Sequence, residues 1–449
     1  MSGTSITAEP PVKGAPPPIT PAGRDWRTYG TAAMFLLPAV AILGIWIVYP
    51  AVYTIVRSFY GVTGFDQWVG LDNYEEMFRN DIILKAIKNN AIWVGVVPAL
   101  VTAIGLVFAV LTERVRWSVA FKTAVFMPMA ISLLAAGVIW RLMYFQDPDR
   151  GTVNAGLAVV EDAINPPGAL PDALPATNAL TGNPQQGLTL KQALEPGSVA
   201  SLPLTGIAPE DVPDGAEQAR RPEAVQNGIT GVVWRDFKPG GGTTGRLEQG
   251  ELGLPGVTVQ LSDSDGDRVA STSTADDGSF QFDDLESGSY QASIAKSTFA
   301  KPYGGVSWLG EKLITPAIII SYIWVWAGFA MVVIAAGLAA IPRDLLEAAR
   351  TDGAGEWQVF RRVTVPLLAP VLSVVFITML INVLKVFDIV ISVAPGSVQD
   401  DANVIALAMW RTSFGGVNDF GLGSAIAVFL FLLVIPVLLI NIRRFKREV

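Results

Sequence analysis

Two kinds of hydrophobic pattern alternate along the chain. Long, nearly uninterrupted apolar runs occupy 31–56, 91–111, 120–143, 313–340, 367–391 and 424–442. Each is close to the roughly 20 residues a helix needs to cross the hydrocarbon core of a bilayer, and each is bounded by charges or by Gly, Pro and Asn. Trp26, Tyr60, Trp117, Tyr144 and Trp308 fall near the ends of these runs, where amphipathic rings prefer the headgroup layer. Between the third and fourth runs the period changes. Short alternating segments at 229–234, 257–261, 269–274, 280–282 and 290–294 are separated by turn signals such as Asp265-Gly266-Asp267 and Asp277-Gly278, the signature of a small antiparallel sandwich. The pattern therefore predicts an α-helical polytopic membrane protein of six transmembrane helices, interrupted by a β-sandwich.

The boundaries that follow are a disordered cytoplasmic tail over 1–29, three spans within 30–145, a Pro-, Ala- and Gly-rich linker over 146–227, the sandwich over 228–300, a second linker over 301–311, and three further spans within 312–449. The first run is too long, and too far from a cleavage-like site, for a signal peptide. Lys and Arg in short loops are retained on the cytoplasmic side. They gather after the second run (Arg114, Arg116, Lys122), after the fourth (Arg343, Arg350, Arg361, Arg362) and at the end (Arg443, Arg444, Lys446, Arg447). The opposite connections are acidic, with Asp66, Asp72, Glu75, Glu76 and Asp81 in one and Asp400, Asp401 and Asp419 in another. Both termini are thus expected in the cytoplasm of a multi-pass plasma-membrane protein, and the sandwich outside the cell.

Composition narrows the chemistry. Half the residues are apolar (51%), only 16% are charged, and the chain contains no Cys and no His. Disulfides, thiolate nucleophiles, imidazole bases and the common zinc sites are all excluded. The net charge of −8 argues against nucleic acid as a partner. Asp263, Asp265, Asp267, Asp276 and Asp277 could supply hard oxygen ligands for calcium, but solvated turns explain them more simply and no metal is expected. The Gly-rich stretch from Gly240 to Arg246 lacks the Lys-Ser/Thr of a phosphate loop, so the chain is not expected to be an enzyme and any ATP must be hydrolysed elsewhere.

The most informative connection follows the fourth run: Ile341-Pro342-Arg-Asp-Leu345-Leu-Glu347-Ala348-Ala349-Arg-Thr-Asp352-Gly353-Ala354, continuing to Phe360-Arg-Arg-Val363-Thr-Val-Pro366. A Pro in the first turn followed by an acid starts a short helix. Gly353 stops it, and Trp357, Phe360 and Val363 begin a second amphipathic stretch ending at Pro366. Two short helices bent at a Gly make a knuckle that can enter a groove on a cytosolic partner.

This segment closely resembles the EAA loop of ABC importer permeases of the carbohydrate-uptake family, which includes alpha-glucoside and maltose permeases. The resemblance extends to Tyr49-Pro50-Ala-Val-Tyr53, Val69-Gly-Leu-Asp-Asn73-Tyr74, Asn89-Asn90-Ala-Ile-Trp93, Phe126-Met-Pro128-Met-Ala-Ile-Ser132, Phe387-Asp388-Ile389 and Phe420-Gly421-x-Gly423. It implies a type I ABC importer permease fold and alternating access. Glu347, Ala348, Ala349, Asp352, Gly353 and Ala354 are then the residues that couple to an ATPase. Trp324, Gly328, Phe329, Met379, Asn382 and Val386 are placed on the substrate path. Lys385 and Asp388, three residues apart, are expected to pair on one helix face. The implied partners are a second related permease, two ATPase copies that bind ATP and Mg, an extracytoplasmic sugar-binding lipoprotein and the lipid membrane. A sugar phosphate or glycerol phosphodiester is an alternative substrate class. The inserted segment resembles Cna-B/SdrD-type repeats through Gly231-Val-Val-Trp234, Gly256-Val-Thr-Val259, Asp277-Gly-Ser-Phe280 and Gly288-x-Tyr290. A membrane-anchored adhesin would account for that insert, but it needs one anchor and has no use for the EAA loop.

Overall fold

A computed structural model describes residues 26–113, 115–416 and 418–448. Most of the expected tail over 1–29, and Arg114, lie outside the described residues, as do the side chains of the C-terminal basic cluster. Among the described residues five helices are long and apolar enough to cross a membrane: Ala33–Arg57, Asp81–Glu113, Ile314–Ala339, Glu356–Leu384 and Phe420–Val437. We refer to them as spans one, two, four, five and six. The third expected span is not straight. Ser118–Ala130 and Leu133–Met143 meet at 101°. The cause is local: Met127–Ala130 tightens into a 3-10 turn around Pro128, Ile131 is extended, and Ser132 restarts the helix by accepting a hydrogen bond from the Ala135 N–H at 3.2 Å.

The fifth span is also corrected. Expected through to residue 391, it ends at Leu384; Lys385 leaves helical geometry, and a separate short helix runs Asp388–Val393. At its other end no break occurs at Pro366. The stretch beginning at Glu356 passes through a π-helical turn, Phe360–Thr364, and enters the span without interruption. Pro366 then sits in the first turn of the straight segment, where its missing N–H costs least.

The chain divides into two compact units, one formed by residues up to Leu84 together with those from Ile405 onward, the other by Lys85–Val404. In the first, the loop after span one is clamped by Asn73, whose Nδ2 donates to the Ser58 and Tyr60 carbonyls at 2.8 Å each. Tyr74 and Ser58 share a hydroxyl contact of 2.7 Å. In the second unit, span four is the most enclosed helix. Small residues let its neighbours approach: a side chain at Gly105 would strike Ala330, and one at Gly337 would meet Val371 Cγ2 at 2.8 Å. Asn89 of span two donates to the carbonyls of Asp401 (2.8 Å) and Asn403 (2.9 Å), and Trp93 is buried edge-on against Tyr322 at 5.3 Å. By contrast, no described residue of span one before Arg57 is buried within the chain, and Phe35 and Trp46 are 80% and 76% exposed. Apolar exposure on that scale requires lipid or another subunit.

The insert is larger than its strand pattern implied. Nine strands form two sheets: β1 (Leu174–Pro175), β2 (Leu180–Asn183), β3 (Gly187–Leu190), β4 (Val199–Thr205), β5 (Ile229–Arg235), β6 (Thr258–Ser262), β7 (Arg268–Ser273), β8 (Ser279–Phe282) and β9 (Gln291–Ile294). One sheet has the order β1-β4-β5-β8, the other β2-β3-β9-β6-β7. The first four strands come from the segment read as linker, which is a correction. Its Leu residues (Leu180, Leu188, Leu190, Leu202, Leu204) join the common core with Ile229, Val259, Phe280 and Ile294. β4 pairs with β5 in parallel, and β3 covers one flank of β9. The expected all-antiparallel sandwich is therefore mixed, and an edge that the later strands would otherwise expose is covered.

Candidate functional site

The knuckle after span four is built as two capped turns. Arg343–Thr351 is helical, with Asp344 in its first turn and Arg350 in its last, matching the helix dipole. Its end satisfies a Schellman pattern: the Gly353 N–H donates to the Arg350 carbonyl at 3.0 Å and the Ala354 N–H to the Ala349 carbonyl at 3.1 Å. That geometry requires the left-handed backbone found at Gly353, φ +84°. The helix Glu356–Val359 is started by Gln358, whose Oε1 accepts from the Gly355 N–H at 3.1 Å. An exposed ion pair, Arg350 Nε to Glu356 Oε1 at 2.9 Å, bridges the two turns and adds little energy in water. Glu347, Ala348, Asp352 and Gly353 are exposed, while Ala349 and Ala354 are half-buried. Trp357 stacks near Phe360, ring centres 5.5 Å apart, and is 68% exposed. Behind the knuckle lies a groove of about 480 Å³ lined by Val110, Leu111, Leu346, Trp357 and Phe360. Glu356–Leu384 is one helical piece of 29 residues, roughly 43 Å at 1.5 Å per residue.

The six residues expected along the substrate path are not brought together equally. Trp324 reaches the surface and meets Trp140 edge-on at 5.6 Å. Phe329 is half-buried against Trp326. Asn382 is half-buried, with no hydrogen-bond partner among the described residues. Gly328 instead lies at a helix crossing, where a side chain would strike the Val125 carbonyl and lie 2.7 Å from Phe126 Cα. Met379 and Val386 are enclosed in the chain's own interior at 0% and 4% exposure. Val386 does not share a helical face with Met379 and Asn382, because the helix stops two residues before it. The same break places Lys385 and Asp388 on different segments, both exposed, and no ion pair joins them. Trp140, which helical spacing did not single out, lies on the helix Leu133–Met143 beyond the bend in the third span.

Comparison with known proteins follows the same outline. Residues 280–445 match the profile of the binding-protein-dependent transport system inner membrane component. The alpha-glucoside transport system permease protein of Rhizobium meliloti is 29% identical over 92% of this chain and 82% of its own length. The osmoprotective compounds uptake permease protein of a Synechocystis strain is 29% identical over 92% of this chain and 99% of its own length. A putative ABC transporter permease protein of a Caldicellulosiruptor strain is 35% identical over 25% of this chain and 79% of its own length. The chain belongs to the ABC importer permeases. The fold agrees: a bacterial ABC transporter involved in alginate import superposes with a TM-score of 0.54, covering 94% of this permease and 96% of that chain at 17% identity.

The permease departs from a plain helical bundle in its insert, of which residues 227–303 match the SdrD B-like domain profile. The insert's ends are stapled. The Gly168 N–H donates to the Ala300 carbonyl at 2.8 Å and the Leu170 N–H to that of Thr298 at 2.9 Å. Fully buried Asn154 donates to the carbonyls of Phe145 (2.8 Å) and Val306 (2.9 Å) and accepts from the Val306 N–H. Among the described residues no group of acids is arranged to hold a metal. Asp263 caps its turn instead, accepting from the Asp265 and Asp267 N–H groups at 3.0 and 2.9 Å. Glu251, 1% exposed, accepts from the Glu248 N–H at 2.7 Å. Burial pushes its carboxyl above the usual range, against the lowering effect of that bond.

Proposed function

We propose that this permease takes up a sugar or oligosaccharide delivered by an extracytoplasmic binding protein, in an ATP-driven importer with a second related permease and two ATPase copies. The observation that carries this reading is the knuckle: an exposed helix bearing Glu347 and Ala348, stopped at Gly353 and joined by a short turn to the helical piece that begins span five. Such an element is shaped to sit in a cleft of an ATPase and to convert its closure into movement of span five. ATP and Mg belong to that ATPase, because the permease has no phosphate loop. In this reading the knuckle and both termini lie in the cytoplasm and the insert outside, supported by the Lys and Arg of the short loops; the insert's position before span four then makes it available to the binding protein. The similarity to an alpha-glucoside permease over nearly the whole chain supports a glucoside as substrate.

In this reading the inward-open state gives way to an outward-open one when the ATPases close, and the sugar enters a path bordered by Trp324 and Asn382. The indole face covers the apolar side of a sugar ring, and the amide, which has no partner among the described residues, hydrogen-bonds its hydroxyls. Reconstitution with the ATPase, second permease and binding protein tests it. Labelled alpha-glucosides should accumulate only with internal ATP, and Trp324→Ala or Asn382→Ala should lower uptake roughly three- to tenfold. Uptake driven by an ion gradient without ATP would overturn the proposal.

A further inference from the structure

Span one ends in a charge that no described residue neutralises. Arg57 is 97% buried, from its 3% exposure. Its Nη2 donates to the Val62 carbonyl at 2.9 Å and its guanidinium lies 5.7 Å from the centre of the Phe65 ring. Nη1 has no partner, and no acid pairs with Arg57 among the described residues. A guanidinium cannot shed its proton to escape burial, and an uncompensated buried charge is among the most costly arrangements a fold can hold. Arg57 lines a groove of about 470 Å³ within the first unit, together with Tyr53 and Thr54 of span one, Ser413 of the helix Ile405–Phe414, and Gly423 and Ser424 of span six. The lining thus sets one fixed cation among hydroxyls. Gly423 is obligatory for its shape, since a side chain there would strike Ser413 Oγ.

We propose that this groove is an oxyanion site in which a phosphate-type group neutralises Arg57 and is held by the surrounding hydroxyls. The pairing suits Arg, whose planar donors match phosphate bidentately. Two sources carry that chemistry: the headgroup of an anionic phospholipid, which the position at a span end favours, and a soluble inorganic oxyanion. Neither depends on the transported substrate or on which side of the membrane the span end faces.

The test is thermal unfolding of the purified full-length chain in an uncharged detergent, titrated separately with phosphatidylglycerol, phosphatidylcholine and sodium phosphate. Stabilisation by phosphatidylglycerol alone identifies a lipid headgroup, and stabilisation by phosphate identifies a soluble anion. In either case Arg57→Gln should weaken the apparent affinity roughly tenfold or more, the loss expected for a charge-assisted bond. Should Arg57→Gln not fold, Ser424→Phe, which fills the groove and keeps the cation, should abolish the same stabilisation. Absence of stabilisation by any anion in the wild type, equal effects of phosphatidylcholine and phosphatidylglycerol, or an unchanged response in both variants would each overturn the proposal.

Discussion

Single positions decide whether the knuckle is a lever or a loose loop. Gly353 sits where an L side chain is strained by roughly 1–2 kcal/mol, and its N–H closes the Schellman stop on Arg350. Gly353→Ala should therefore keep the fold and lower ATP-driven uptake moderately. Gly353→Pro, which also removes that N–H, should lower it further; equal uptake in wild type and both variants would argue against a rigid stop. In the insert, Glu251 has a carboxyl raised by burial. A raised acid binds its proton more tightly folded than unfolded, so the insert should gain stability as pH falls from neutral through the folded pKa toward the ordinary carboxylate range, and lose it as pH rises. Hydrogen exchange of peptides covering β5 and β6 in the full-length chain should show this trend in wild type and a flat response in Glu251→Gln. These two residues were unequally legible in the sequence. A Gly four residues after Ala349 announces a helix stop, whereas nothing near Glu251 announces a buried acid among neighbouring charges.

Elements were read correctly where hydrophobic length alone defines them and misread where a local geometry interrupts a run. Spans one, two, four and six needed only length. The bend at Pro128 and the break at Lys385 leave hydrophobicity unchanged, so an apolar count passes over both. They are linked in space: the helices Leu133–Met143 and Asp388–Val393 meet where a side chain at Gly137 would strike Ser392 Oγ. Strands β1–β4 were hidden for the opposite reason, since Gly and Pro punctuate short strands as they do linkers, and positive-φ turns at Gly182, Gly187 and Gly197 lie inside the segment. Substrate-path assignments suffered from the same break, because helical spacing carried Val386 onto a face that ends at Leu384. At this scale Gly328→Leu should cost about 1–3 kcal/mol or prevent assembly, since the obstacle is the backbone of Val125 and Phe126 rather than a movable side chain. Thermal unfolding of the purified chain measures it; a Leu tolerated without loss would mean that the crossing is looser than its geometry.

For the whole molecule the insert behaves as a cassette. Its two ends run side by side at Gly168 and Ala300, and Asn154 ties the flanking backbone at Phe145 and Val306 independently of it. Replacing 170–298 by a short Gly/Ser linker should therefore leave unfolding of the membrane portion nearly unchanged. Asn154→Ala, which strands several buried backbone groups, should destabilise it by about 1–3 kcal/mol. A collapse of the deletion variant would show that the insert supports the spans.

The central claim is that the Arg343–Thr351 knuckle is where a separate ATPase takes hold of this permease. Affinity purification in mild detergent, with mass spectrometry of the proteins that accompany the wild type and Glu347→Lys, tests it most directly. Glu347 is exposed, so its reversal should leave the fold and any second permease in place. The account predicts a phosphate-loop ATPase with the wild type and its loss from the variant. An ATPase retained equally by both, or absent from both, would contradict it.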